Sequence, residues 1–238
     1  MVTTVGMLYP GNAAEDDYPR LEQILGDDIA LPVVITSVGV DAHEVDALLD
    51  LGRSERLLEG ARQVAEHRPD SVMWACTSGS FVFGWDGAHR QAGEISEKLS
   101  LPVGSTSIAF AAACRALGLG RVAVAATYPD DVSRHFSRFL AATDVTVTEL
   151  VSHDIPTATL AGRLGHDEVL ELARSNDSPE AQAILIPDTA LHTIAWIDEL
   201  EEALGKPVLT ANQVTTWYGL RLAGRAVRSD RLGTLFRI

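Results

Sequence analysis

The sequence predicts a parallel α/β fold made of two similar halves. Three observations carry this expectation. Short β-branched runs alternate with helical patterns along all 238 residues, as a parallel sheet covered by helices on both faces requires. No linker rich in Pro, Gly or Ser and no low-complexity tract interrupts the alternation. A weak internal repeat relates the first half of the chain to the second.

In chain order, TTVGMLY, LPVVITSV and SVMWAC read as buried strands of the first half, with RSERLLEGARQVAEHR as a helix between the last two. STSIAFAAACRALG continues as a helix. Its GLGR at 118–121 is read as a helix cap before the next strand, not as a dinucleotide fingerprint. RVAVAAT, DVTVTEL and AILIP are the strands of the second half. DDVSRHFSRFLAAT, HDEVLELARS and ALHTIAWIDELEEALG are read as its helices, because their apolar residues recur at three- and four-residue spacing.

The repeat places the functional positions. A strand ends in Tyr9-Pro10 in the first half and in Tyr128-Pro129 in the second. The next strand leads into Cys76-Thr77, and its counterpart into Asp188-Thr189. Pro102-Val103 and Pro207-Val208 each precede a helix. The offset between partners shrinks along the chain, as loop deletions produce. Two such halves predict a pseudo-twofold pair of lobes, residues 1–113 with 214–238 forming the first and 114–213 the second. Ligands of open α/β sheets bind beyond the carboxyl ends of the strands, so Cys76 and Asp188 are expected to face each other across a cleft.

A formal net charge of −14 argues against a nucleic-acid partner, which needs a basic face. No apolar run approaches the roughly 18–20 residues of a membrane span. The start, MVTTVGMLYPG, lacks a basic region and runs directly into a strand, which argues against a signal peptide. Two cysteines make no disulfide framework, and the expected compartment is the reducing cytoplasm. The only lysines, Lys98 and Lys206, sit in settings that do not suggest a lowered pKa, so a pyridoxal Schiff base is not expected. The seven histidines form no HExxH or Cys/His cluster, so no zinc site is read. His192 lies four residues after Asp188, within reach of the cleft, but is read first as a helix-surface histidine.

The strongest local signal is WACTSGSFVFG. An apolar strand delivers Cys76, and Thr77, Ser78, Gly79 and Ser80 follow at the start of a helix. The N–H groups and dipole there are expected to lower the thiol pKa and make the sulfur reactive. The hydroxyls of Thr77 and Ser78 suit a carboxylate or enolate oxygen. Cys114, in the Ala-rich stretch AFAAACRALG, reads as core packing.

In combination, VGMLYPGNAAED, WACTSGSFVFG, STSIAFAAACRALGLGRVAVAATYPDDV and ALGKPVLTANQVTTWYGLRLAG resemble the arylmalonate decarboxylase and maleate isomerase branch of the aspartate/glutamate racemase superfamily, nearly end to end. The resemblance implies two Rossmann-like lobes related by pseudo-twofold symmetry, an interlobe site, a small carboxylic-acid substrate, and no metal or organic cofactor. A homodimer is compatible with it. It also implies roles. Racemases and maleate isomerases carry two facing cysteines, whereas arylmalonate decarboxylases keep only the second. Here Cys76 occupies the first position and Asp188 the second. Thr77, Ser78, Tyr128 and Thr189 match oxyanion-binding groups. Asn12 lies near the substrate-binding asparagine of maleate isomerases, with its spacing from Pro10 differing by one.

Three functions follow. An isomerase of a small unsaturated or α-chiral acid uses Cys76 as a thiolate, with Asp188 as the protonated partner because like charge and burial raise one of the two. A malonate-type decarboxylase uses Cys76 to protonate an enediolate from the face opposite to that used by the family's decarboxylases, but the apolar pocket it needs is not located in the sequence. A non-catalytic small-acid binding protein needs no reactive thiol. The isomerase is the leading expectation.

Overall fold

A computed structural model describes residues 2–11 and 13–238. The first sheet contains β1 (Thr3–Pro10), β2 (Ile29–Ala30), β3 (Val33–Thr36), β4 (Ser71–Trp74) and β5 (Val103–Ser105). β2 and β3 pair in turn with the start and end of β1, giving the order β2/β3–β1–β4–β5. The second sheet contains β6 (Arg121–Ala126), β7 (Thr146–Ser152), β8 (Ala183–Ile186) and β9 (Val208–Thr210), in the order β7–β6–β8–β9. Every pair is parallel. The two sheets repeat one topology, with β1 answering β6 and β4 answering β8. Leu8 pairs with Trp74 in one, and Val124 with Leu185 in the other.

Helices cover these sheets, as buried parallel strands demand. The first half carries α1 (Asp17–Leu25), α2 (Val45–Leu51), α3 (Ser54–Val64), α4 (Ser78–Phe81), α5 (Gly84–Leu99) and α6 (Thr106–Leu117). The second carries α7 (Asp130–Ala141), α8 (Ala158–Ala161), α9 (His166–Ser175), α10 (Ile197–Leu204), α11 (Ala211–Leu222) and α12 (Gly233–Arg237). α6 and α11, which follow β5 and β9, pack on one another, and the Thr106 and Thr215 hydroxyls meet at 2.7 Å. α11 also lies on β1 and β4. That approach requires Gly219, where a Cβ would sit 2.5 Å from Val5 and 2.9 Å from Met73. Gly118 closes α6 in the left-handed conformation at φ 66°, so GLGR is the expected cap.

Three expectations change. The run 190–205 is helical only over α10; residues before it form a buried turn, because the Thr193 N–H is taken by the buried Asp17 carboxylate at 3.2 Å. The apolar spacing there reflects burial of Leu191 and Ile194, not helix. Neither α1 nor α5 is among the helices read from the sequence; the glycines at the start of α5 weaken its helical signal. β5 and β9, at three residues each, are too short for periodicity to reveal. No helix among the described residues is long and apolar enough to cross a membrane.

Candidate functional site

The carboxyl ends of β1, β3, β4 and β8 open onto one cavity of about 170 Å³. An engineered cavity of roughly 150 Å³ holds benzene, so the space suits a small organic molecule. Cys76 and Ser78 line it from the first half, and Asp188 and Thr189 from the second. Pro10, Val38, Leu48 and Leu51 give it an apolar wall.

Cys76 stands two residues past the end of β4 and is buried. The Gly79 N–H donates to Sγ at 3.3 Å, and the Ser78 hydroxyl lies 4.0 Å from it. Gly79 eases this close approach, since a Cβ there would come to 3.1 Å from the sulfur, a tight contact. The expected lowering of the thiol pKa is not found. Burial pushes Cys76 up to about 12, outweighing the lowering by the Gly79 and Ser78 contacts, and the Asp188 charge adds a smaller rise. α4 is a single turn of four residues, so little aligned dipole offsets the loss of solvation. Cys114 is buried in α6 and is likewise pushed to about 12 by burial.

Asp188 is 4 % exposed. Its Oδ2 accepts from the Thr127 hydroxyl, and its Oδ1 accepts the Ala190 N–H at 2.9 Å. This is a side-chain turn, not a helix cap, because the next helix begins only at Ile197. Two tyrosines grip the same segment. Tyr128 donates to the Pro187 carbonyl, and Tyr9 donates to the Thr189 carbonyl at 2.9 Å. Asn212 also donates to the Thr189 carbonyl, at 3.2 Å, while bonding Asp17 at 3.1 Å. Burial raises both phenols well above their usual range, and Asp188 contributes to each rise.

Of the residues singled out in the sequence, Cys76, Ser78, Asp188 and Thr189 come together at the cavity. Thr77 and Tyr128 are fully buried and are not among the residues that line it. The Thr77 Oγ1 finds no hydrogen-bond partner among the described residues. A buried hydroxyl left without a partner carries a desolvation cost. Asn12 falls outside the described residues. His192 turns to Asp16, 2.8 Å away, and does not line the cavity.

Sequence reasoning missed Tyr9, Asp41 and His43, all of which line the cavity. Tyr9 had a usable signal as the repeat partner of Tyr128. Asp41 and His43 had none, since their significance depends on the loop 155–159 of the other half. Asp41 accepts the Ala158 and Thr159 N–H groups at 2.9 and 3.2 Å and the Thr159 hydroxyl at 2.6 Å. His43 bonds the Ile155 carbonyl through Nδ1 at 2.7 Å. No lysine or arginine among the described residues lines the cavity.

Two parallel sheets of one topology, with flanking helices and one cavity lined from the strand ends of both, define an α/β protein. The chain belongs to the arylmalonate decarboxylase family, whose model matches residues 39–236. It is 28% identical over 233 residues to arylmalonate decarboxylase from Bordetella bronchiseptica, covering 95% of this chain and 92% of that one. It is 25% identical over 181 residues to maleate isomerase from Nocardia farcinica, covering 74% and 72%. Among solved structures, an arylmalonate decarboxylase variant with one glycine changed to cysteine and one cysteine to serine, in liganded form, matches 99% of each chain at 27% identity and a TM-score of 0.85. Maleate isomerase from Pseudomonas putida shares the fold at a TM-score of 0.88 and 19% identity, over 100% of this chain and 99% of that one. The similar proteins are thus enzymes of both activities.

Proposed function

We propose that the protein is a cofactor-independent decarboxylase of small malonate-type acids, in which the Cys76 thiol delivers the proton. The observation that supports this most is the sulfur's environment. Burial pushes Cys76 up to about 12, so at neutral pH it is an acid, suited to giving a proton rather than to adding as a thiolate. This moves the preference away from the isomerase that the sequence favoured.

The cavity divides to match. Ser78 and Thr189 offer hydroxyls to one carboxylate from the cavity lining, with the unpartnered hydroxyl of the adjacent Thr77 assigned to the same group, while Val38, Leu48 and Leu51 face the other. A carboxylate set against an apolar wall loses solvation, which favours its departure as neutral carbon dioxide. The C–C bond breaks, its electron pair passes into an enediolate held by the hydroxyls, and the Cys76 S–H proton forms the new C–H bond. Water then reprotonates the sulfur. Asp188, held by Thr127 and Ala190, favours the protonated thiol through its charge. A maleate-type substrate keeps two carboxylates throughout, and the described lining has no Lys or Arg to receive the second.

Isomerisation is the second reading, favoured by the identity to the Nocardia farcinica maleate isomerase. Aryl-malonates, maleate and chiral amino acids incubated in heavy water and followed by proton NMR separate the two. The expected result is loss of carbon dioxide from an aryl-malonate with one deuteron at the α-carbon, abolished in Cys76→Ala. Conversion of maleate to fumarate without decarboxylation would establish the second reading. Unimpaired turnover in Cys76→Ala would exclude both.

A further inference from the structure

His43 is a cavity-lining, buried, titratable side chain to which the chemistry above gives no task. Its Nδ1 lies 2.7 Å from the Ile155 carbonyl oxygen. A carbonyl only accepts, so Nδ1 carries the proton, and in the neutral ring Nε2 is then an acceptor. Among the described residues, the Nδ1 contact is the one hydrogen bond of the ring, and Nε2 makes none. The ring is held in place from two further directions. The His43 backbone N–H donates to the Pro156 carbonyl at 2.7 Å, and the imidazole stands edge-on to Tyr128 at 4.8 Å and 83°.

A fixed ring with one uncommitted acceptor at a cavity wall discriminates between ligands. An apolar group placed against it strands the acceptor, whereas a donor satisfies it. We propose that His43 reads a hydrogen-bond donor on the substrate, a hydroxyl or amide N–H on the group that lies against the 38–43 loop, and thereby sets which acid the cavity prefers. This rests on the reading that a small acid occupies the cavity with its carboxylate at Thr77 and Ser78. The competing role is structural, a staple between residue 43 and residues 155–156.

Calorimetric binding of phenylacetate, its three monohydroxy isomers and the matching methoxy compounds tests the proposal without turnover. His43→Asn retains a side-chain N–H for Ile155 but lacks Nε2. His43→Phe retains the stacking on Tyr128 and also lacks Nε2, so it serves if the first variant does not fold. At least one hydroxy isomer should bind the wild type roughly tenfold tighter than phenylacetate and than its methoxy counterpart, as one neutral hydrogen bond allows. That preference should shrink to within about twofold in either variant. Equal binding of all probes, no binding of any, a preference for the methoxy compound, or a hydroxyl preference that survives both substitutions would each overturn it. A hydroxyl preference lost with Nε2, in a protein that releases no carbon dioxide from aryl-malonates, would uphold His43 and dismiss the decarboxylase reading alone.

Discussion

Cys76 and Asp188 each stand two residues past the end of an equivalent strand, β4 and β8, and line one cavity. Their positions repeat, but their chemistry does not. A thiol with a raised pKa faces a carboxylate whose charge contributes to that rise.

Asp188→Asn should therefore lower the Cys76 pKa, because one of the charges that disfavours the thiolate is gone. The amide oxygen can still accept the Ala190 N–H, so the turn persists. Turnover at neutral pH should change little, since burial, the largest cause of the rise, still keeps the thiol protonated. Thiolate absorbance against pH and steady-state rates measure the two effects. An unchanged thiol pKa with wild-type turnover would leave Asp188 a turn residue only.

Thr77→Val should separate stability from activity. The Thr77 hydroxyl is buried and unpartnered, so its loss leaves nothing unsatisfied, and the unliganded protein should melt at or above the wild-type temperature. Removing an oxyanion donor typically costs about 10²–10³ in rate, and a loss of that order in kcat is expected. A destabilised variant with normal kcat would assign Thr77 to packing instead.

What the sequence made legible is what strand ends dictate. The repeat of Tyr9-Pro10 with Tyr128-Pro129, and of Cys76-Thr77 with Asp188-Thr189, needs only local α/β patterning, and it anticipated two sheets of one topology with Cys76 and Asp188 at one cavity. The sulfur's acidity was misjudged because a local motif shows the helix start but not the depth of burial, and burial is the larger effect. His43 and Asp41 were invisible because their partners lie more than a hundred residues away in the chain.

Stability at alkaline pH should follow the buried thiols. Cys76 and Cys114 are both raised to about 12, against about 8.5 for a free thiol. A raised folded-state pKa contributes stability that is complete below the unfolded value and is lost as pH climbs towards the folded one. The melting temperature should start to fall above roughly pH 8.5, with the buried tyrosines adding to the decline above about pH 10. Cys76→Ala should flatten the first part of that fall. An identical slope in the variant would mean that Cys76 carries no raised pKa.

Asp41 offers a test of how the cavity is closed. Its carboxylate spans from the 38–43 loop to the start of α8, accepting from Ala158 and Thr159, and all three residues line the cavity. Asp41→Ala removes three acceptor contacts at a partly exposed site, so denaturant unfolding should show a loss of about 1–2 kcal/mol. None of these bonds involves Cys76, Thr77 or Asp188, so the groups proposed to act on the substrate keep their positions. The kinetic consequence should then fall on substrate retention, with KM rising several-fold and kcat little changed. Asp41→Asn keeps the oxygen that accepts from Ala158 and should lie between the two. A fall in kcat at unchanged KM would instead mean that the link between residues 41 and 158–159 positions the reacting groups themselves.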